Sequence, residues 1–299
     1  MKYKFQSIQF CNMCQSKSDT HKVLGNRLNK SQGLWPNKKI GISTKIIQCS
    51  NCKLNYSNPQ PIPINFGDHY EIDVESYWNN DYLNSKTDIS QLIKKLKRYI
   101  SLEKEPLALD IGAGFGKMMN ALKNEGFITY GIEPSKPFYD FAIEKNNISE
   151  KFLMQKSIES SSFEENKFDF ITFGAVLEHL EDPSLSLKKA ISWLKPGGII
   201  EIQVPQSNWL TGKIYNLIYK LTFSSYCSNL SPMHEPFHLY EFSLKSFVEN
   251  GKINNYKVVN HTYAICETFL PKIFDKILKR IMKQTNTGME IYLLLQKIK

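Results

Sequence analysis

Residues 107–116 read LALDIGAGFG: a short apolar run that ends on Asp110 and then breaks into glycines at 112, 114 and 116. An apolar run this short, closed by glycine, predicts a buried strand and not a helix. Working outward, KMMNALKNEG (117–126) predicts a helix closed by Gly126, and ITYGIEP (128–134) a second strand. PFYDFAIEKN (137–146) reads as a helix and KFDFITFGAV (167–176) as a strand. SLSLKKAISWLKPGG (184–198) is a helix with a Pro-Gly-Gly stop, followed by IIEIQVP (199–205) as another strand. Strands alternating with helices at this pitch predict an α/β fold with a parallel, doubly wound sheet. The alternation pauses after Pro205. It resumes with SLKSFVENG (243–251) as a helix, YKVVNHTYAI (256–265) as a strand and MEIYLLLQKI (289–298) as a final strand. Residues 206–240 are therefore expected to form an insertion, a lid over the C-terminal edge of the sheet where such folds keep ligands.

Three readings compete for the glycine loop. A Walker-type phosphate loop needs Gly at 111 and Ser or Thr at 118, where the chain has Ile111 and Met118. A dinucleotide fingerprint needs its third glycine where Lys117 stands. A GxGxG loop without pyrophosphate requirements suits S-adenosylmethionine, because Gly112 and Gly114 let the backbone pass close to the ligand with no Cβ in the way. Glu133 ends the second strand, 23 residues after Asp110, where a carboxylate can accept both ribose hydroxyls. A tight turn followed by a surface acid is the other account of the same residues, and the order of strand, loop, helix, strand and acid counts against it.

Before this domain, 65–105 form a connector with the aromatic stretch FGDHYEIDVESYW (66–78) and a predicted helix in QLIKKLKRYI (91–100). Residues 1–64 carry two CxxC pairs, Cys11/Cys14 and Cys49/Cys52, with 34 residues between the pairs. Each pair can offer two thiolates to adjacent corners of a tetrahedron, so the expectation is a structural zinc-binding module. A redox CxxC would need a thioredoxin-like helix beside it, which the surrounding residues do not suggest. Cys227 and Cys266 read as ordinary buried residues.

The 299 residues contain 41% hydrophobic and 22% charged residues, which excludes wholesale disorder. No run of 18 apolar residues occurs, and MKYKFQSIQF at the start lacks the apolar core of a secretory signal, so the expected location is cytoplasmic. Thirty-eight basic against 29 acidic residues give a net charge of +9. The lysines are dispersed with no block of like charge, which reads as a solvated surface more than a nucleic-acid stripe.

LDIGAGFG, YGIEPS, FDFITFGAVLEHLEDP and LKPGGIIEIQVP together resemble the class I S-adenosylmethionine-dependent methyltransferases over roughly 106–299. The cysteine pairs, LNYSNPQP and ESYW are similar to the zinc-bearing module of a subgroup that includes deoxysugar C-methyltransferases and enzymes encoded among surface-polysaccharide genes. The resemblance implies a Rossmann-like seven-stranded methyltransferase sheet whose last strand is antiparallel, beside a small N-terminal zinc module. It implies that Asp110, Gly112, Ala113, Gly114, Phe115 and Gly116 hold the methionine end of the cofactor. Glu133 and Pro134 would take the ribose, Ser157 and Ile158 the adenine, and Phe173 and Gly174 the floor after the fourth strand.

For the chemistry, the resemblance points to His179, in LEHL after the fourth strand, and to the HEPFHLYEF cluster on the insertion. That cluster supplies Glu235, His238 and Tyr240 as further catalytic candidates, with His234 beside them. His179 can equally brace a helix, and the cluster can equally orient a loop. The aromatic connector reads as glue between module and main domain, with Tyr77 a substrate candidate. WLTGKIYNLIYKLTF (209–223) reads as a pocket lid, with peripheral membrane contact as the other reading. The expected partner is a small-molecule acceptor, a sugar nucleotide or glycan precursor, whose diphosphate would suit the positive balance. An RNA methyltransferase and a non-catalytic zinc-bearing binding protein are the alternatives.

Overall fold

The computed structural model describes residues 2–28, 42–65, 70–78, 80–101, 105–230, 237–265 and 272–298. The N-terminal part holds strands β1 (Tyr3–Gln6), β2 (Lys22–Arg27), β3 (Lys45–Gln48), β4 (Asn55–Asn58) and β5 (Gln60–Pro63). The connector forms three short helices, α1 (Val74–Tyr77), α2 (Asn80–Asn84) and α3 (Ser90–Leu96). The main domain follows as β6 (Leu107–Ile111), α4 (Lys117–Asn124), β7 (Ile128–Ile132), α5 (Lys136–Glu144), β8 (Leu153–Met154), β9 (Phe168–Gly174), α6 (Pro183–Trp193) and β10 (Leu194–Pro205). The chain closes with α7 (Leu210–Leu221), β11 (Tyr226–Cys227), β12 (Tyr240–Glu241), α8 (Leu244–Asn254), β13 (Tyr256–Ala264), α9 (Lys272–Thr285) and β14 (Glu290–Lys297).

Seven strands form the central sheet in the order β13-β14-β10-β9-β6-β7-β8. Strands β6 to β10 run parallel, and β14 is antiparallel to both β10 and β13, as the sequence led us to expect. Leu109, Ile111, Ile132, Phe168, Ile171, Phe173, Ile200 and Ile202 are buried along its middle strands, which is why those strands read as apolar runs. Helix starts are set by local chemistry. Ser135 caps α5 with Pro137 in its first turn, Asp182 accepts the Leu185 N–H at 3.0 Å before α6, and Ser243 and Ser246 make a reciprocal capping box on α8. The Pro-Gly-Gly stretch is not a plain helix stop. It lies inside β10, where the register against β9 breaks between Leu194 and Ile199.

A second sheet of five strands has the order β11-β2-β3-β4-β12. Of its two outer strands, β11 lies in the 206–240 insertion and β12 at its end, so the N-terminal module and the insertion share one sheet. Module and lid are therefore not separate pieces. Edge strands are exposed templates for pairing, and here both edges of the module are occupied by the same distant segment. The first CxxC loop and the second are also tied to α8. Asn250 Nδ2 donates to the Met13 carbonyl at 3.1 Å, and the Ser243 and Ser246 hydroxyls donate to the Cys52 carbonyl at 2.6 and 3.1 Å.

Candidate active site and cysteine cluster

One cavity of about 1140 Å³ opens at the C-terminal edge of the central sheet, large enough for a cofactor and an acceptor together. Its first half is built from the β6 loop and the end of β7. Asp110, Gly112, Ala113, Gly114, Phe115, Glu133, Pro134, Ser157, Ile158 and Gly174 all line it. Gly112 adopts φ +70, and a Cβ there would sit 2.5 Å from Val176 Cγ2, so only glycine fits. Gly114, at φ +53, is different: an added Cβ would meet nothing nearer than Phe138 Cδ1 at 3.8 Å and would project into the cavity. Phe173 departs from its expected place. It is fully buried in the sheet core and does not border the cavity, because alternation along β9 turns it away while Gly174 faces the opening. Gly116 starts α4 and likewise supports the loop from behind.

Glu133 is buried, and its carboxylate accepts the Gly114 N–H at 2.7 Å and the Ser135 N–H at 2.8 Å. Burial pushes its carboxyl up to about 7, and these two N–H donors oppose the shift. Asp110 is pushed up to about 8, by burial first and then by Glu201 and Glu133. Its Oδ2 has no hydrogen-bond partner among the described residues. Two buried acids at the end of adjacent strands, with one oxygen unsatisfied, fit a ligand that brings positive charge and hydroxyl donors. S-adenosylmethionine, with its sulfonium, ammonium and ribose hydroxyls, is such a ligand.

The aromatic connector lies on this half of the cavity, and its Tyr70 also borders Pro61, Ile62 and Pro63 of the N-terminal module. The Ser135 hydroxyl donates to the Tyr70 carbonyl at 2.7 Å, and Lys117 Nζ donates to the Tyr82 carbonyl at 2.6 Å. Trp78 stacks on Tyr82 at 4.2 Å, and Tyr77 meets Phe138 edge-on at 6.0 Å. Tyr70, Tyr77, Trp78 and Tyr82 thus roof the glycine loop.

The other half gathers residues from distant segments. His179 follows β9, and its Nδ1 lies 3.3 Å from the Phe237 carbonyl oxygen. His238 comes from the insertion, with its ring 5.0 Å from that of His179 and its Nε2 4.0 Å from Glu178 Oε1. Glu178 is buried, pushed up to about 8 by that burial, and its Oε2 lacks a hydrogen-bond partner among the described residues. Trp209 and Tyr215 from α7 and its N-terminal flank add flat apolar walls. Sequence reasoning missed Glu178, although it stands beside His179 in LEHLED, and missed Glu241. Glu241 accepts from Asn55 at 2.9 Å, Asn229 at 2.6 Å and the Leu230 N–H at 2.6 Å, pinning module and insertion together at the cavity wall. Tyr240 is not where a catalytic phenol would be. It is buried away from the cavity and donates to the Glu181 carbonyl at 2.8 Å, because strand alternation turns Tyr240 inward and Glu241 outward. His234, Glu235 and His69 lie outside the described residues.

The four cysteines of the N-terminal module converge, all Sγ atoms within 4.8 Å of one another. Cys11 and Cys52 are 3.5 Å apart, and Cys14 and Cys49 are 3.6 Å apart. Thiolates bound tetrahedrally to zinc at about 2.3 Å stand roughly 3.8 Å apart, so the set fits that ion. Outside it, Ser16 Oγ sits 3.2 Å from Cys49 Sγ and 2.9 Å from His21 Nε2, and His21 Nδ1 is 2.7 Å from the Tyr56 hydroxyl. Such a surrounding shell holds sulfurs in place.

A seven-stranded sheet in this order, with a glycine loop and a ribose-spaced acid at its C-terminal edge, defines the Rossmann-like methyltransferase class. Residues 84–261 match a family described as a methyltransferase domain, and the chain belongs to that family. It is 30% identical over 144 residues to a ubiquinone biosynthesis O-methyltransferase of Coxiella burnetii, a match covering 47% of this chain and 58% of that relative's length. The chain thus spans a little over half of the curated relative it matches. Among solved structures, an S-adenosylmethionine-dependent methyltransferase from Methanosarcina mazei aligns at 20% identity with a TM-score of 0.50, covering 71% of this chain and 99% of that one. The YcgJ protein of Bacillus subtilis aligns at 17% identity and a TM-score of 0.50, covering 71% and 100%. These likenesses are of fold.

Proposed function

We propose that the protein methylates a hydroxyl of a small, uncharged acceptor, using S-adenosylmethionine, and that the acceptor is the sugar ring of a glycan precursor. The observation that carries this reading is that the glycine loop with Glu133 and the His179–His238–Glu178 group face one shared cavity. When bound, the cofactor supplies an electrophilic methyl group. Gly114 would let the backbone approach it, Glu133 would exchange its backbone donors for ribose hydroxyls, and Asp110 would meet the positive end. His179 or His238 would take the acceptor proton at an imidazole nitrogen, with Glu178 beside His238 to orient its ring. Tyr77, Trp209 and Tyr215 offer faces on which a ring can stack.

The charge of the cavity revises the expected acceptor. Seven acidic side chains, several of them held protonated by burial, and only two lysines line it among the described residues, so the positive balance of the chain does not extend into the site. A diphosphate inside would face Glu159, Glu181 and Glu290. The reacting end of the acceptor is therefore uncharged, and any phosphates remain outside. The same lining weighs against an RNA acceptor, whose phosphates need basic walls. The name of the Coxiella relative, a ubiquinone biosynthesis O-methyltransferase, favours an oxygen on a quinone precursor as a second acceptor class. The cysteine set is read as a closed structural zinc site, with no position left for substrate.

Calorimetric titration of S-adenosylhomocysteine comes first, with an affinity in the micromolar range expected. A folded, zinc-loaded protein that binds none would leave a non-catalytic binding module as the reading. A methyl-transfer screen then separates the acceptors: faster turnover on uncharged glycosides than on catechols supports the sugar class, and the reverse order rejects it.

A further inference from the structure

Among the described residues the three most exposed large apolar side chains, Phe223, Ile273 and Leu221, belong to two helices or the turn that follows one of them. On α9, Ile273, Phe274 and Ile277 are 79%, 53% and 61% exposed, and Ile281 continues the same stripe one turn later. On α7 and the turn after it, Leu217, Leu221 and Phe223 are exposed, Phe223 at 97%. Monomeric proteins seldom leave such a concentration uncovered.

Charge identifies the cover. KIFDKILKRIMKQT, the sequence of α9, carries five basic residues and one acid, and that acid, Asp275, is held by Lys279 at 2.7 Å. Lys276, Arg280 and Lys283 follow one another along the helix beside the apolar stripe, and all three are exposed. Residues 206–230 contain Lys213 and Lys220 and no acid at all. Apolar side chains flanked by cations on a helix with a polar opposite face are what an anionic lipid surface binds: the apolar stripe enters the acyl boundary and the cations stay among the headgroup phosphates. No helix among the described residues is long and apolar enough to cross a membrane, so the contact is with one surface.

The two helices meet at their ends. The Leu210 N–H donates to the Thr287 carbonyl at 3.1 Å, and Gln206 Nε2 donates to the Asn286 carbonyl at 2.9 Å, so the start of α7 is fastened to the turn after α9. Helix α7 lines the cavity with Gly212 and Tyr215 and turns Leu217 and Leu221 to solvent. We infer that α9, with the outer side of α7, docks the protein on an anionic membrane surface. What covers the outside of α7 then lies about one helix diameter, roughly 10 Å, from the cavity.

Vesicle flotation of the full-length protein tests this, with equimolar phosphatidylglycerol and phosphatidylcholine against phosphatidylcholine alone. Binding at least tenfold stronger to the anionic vesicles is expected, weakened by 0.5 M salt on the order expected for screened contacts. The double variants Ile273→Ser/Ile277→Ser and Lys276→Glu/Arg280→Glu should each lose about tenfold in that partition, on the scale of burying such groups. Both should still bind S-adenosylhomocysteine as the parent protein does, which separates lost docking from lost folding. Equal recovery with both lipids, or anionic binding that neither variant reduces, would overturn the inference. So would a parent dimer that the variants convert to monomer in sedimentation without any vesicle binding, since the face would then be a subunit contact.

Discussion

The cofactor half and the acceptor half of the cavity differ in how far their residues stand apart in the chain. Asp110, the glycine loop and Glu133 come from one strand–loop–helix–strand unit, within two dozen residues. His179, His238, Tyr77 and Trp209 come from three separate segments, and one of them, the insertion, shares a sheet with the cysteine module. A local site depends on its own loop. An assembled site depends on everything that holds its segments together, including a cysteine cluster that does not line the cavity.

Removing the cluster is the strongest way to test that contrast. Cys49→Ser, or a chelator strong enough to strip zinc, is expected to abolish methyl transfer while S-adenosylhomocysteine affinity stays within about threefold. A structural zinc site contributes on the order of 10 kcal/mol to the fold around it, and the edge strands of that fold carry Glu241 and lead to His238. Metal analysis should find one zinc per chain before treatment. Equal loss of cofactor binding and turnover would show that the two halves are not separable.

Replacing His238 or His179 by Gln acts on the acceptor half alone. The residue that takes the proton should lose about 10²–10⁴ in kcat, with cofactor affinity unchanged. Tyr240→Phe removes only a hydrogen bond to a backbone carbonyl, so it should cost roughly 1 kcal/mol of stability and little rate. A Tyr240→Phe enzyme slowed a thousandfold would return the phenol to the chemistry.

In the cofactor half, Glu133→Ala should weaken S-adenosylhomocysteine binding about tenfold or more, as loss of charge-assisted hydrogen bonds to two hydroxyls implies. Two glycines divide folding from binding. Gly112→Ala forces a Cβ against Val176 and a left-handed backbone, and should lower stability by about 1–3 kcal/mol. Gly114→Val shares the backbone cost but also fills open cavity, so its affinity loss should exceed that of Gly112→Ala at equal stability. Matched losses in the two variants would remove Gly114 from the contact surface.

The smallest effect is on pH dependence. Burial holds the Asp110 and Glu178 carboxyls up to about 8 and Glu133 up to about 7, so near neutrality the folded chain retains protons that the unfolded chain has released. Ligand-free stability should therefore decline as pH rises from about 4.5 to 8, by at most roughly 1.4 kcal/mol per pH unit for each group that stays protonated. Binding a cationic cofactor should reverse this locally and release protons. Titrations at pH 7 in buffers of different ionisation enthalpy measure that release, and an identical heat in every buffer would contradict it.

Legibility in the sequence followed the same division. The alternation of strands and helices and the glycine loop were readable because each depends on neighbours a few residues away, whereas the antiparallel final strand, paired about a hundred residues back, was expected only from the family resemblance. The Cys pairs were readable because ligand spacing is itself a local signature. Phe173 was misplaced by one position of strand alternation, and Tyr240 for the same reason, since a single-residue step reverses the face on which a side chain lies. Glu178 was passed over because an acid beside a histidine has no signature until burial removes its water.

By itself the sequence determined a doubly wound sheet, a glycine loop that excludes a Walker phosphate site, and four thiolates in two knuckles, all through short-range sterics and apolar periodicity. Tertiary structure alone decided that the insertion completes the sheet of the cysteine module, that Glu241 pins the two together, and that the cavity is acidic within a basic chain. Those three features arise from residues up to nearly two hundred positions apart. Net charge and spacing count residues along the chain, whereas packing decides which of them face the same space.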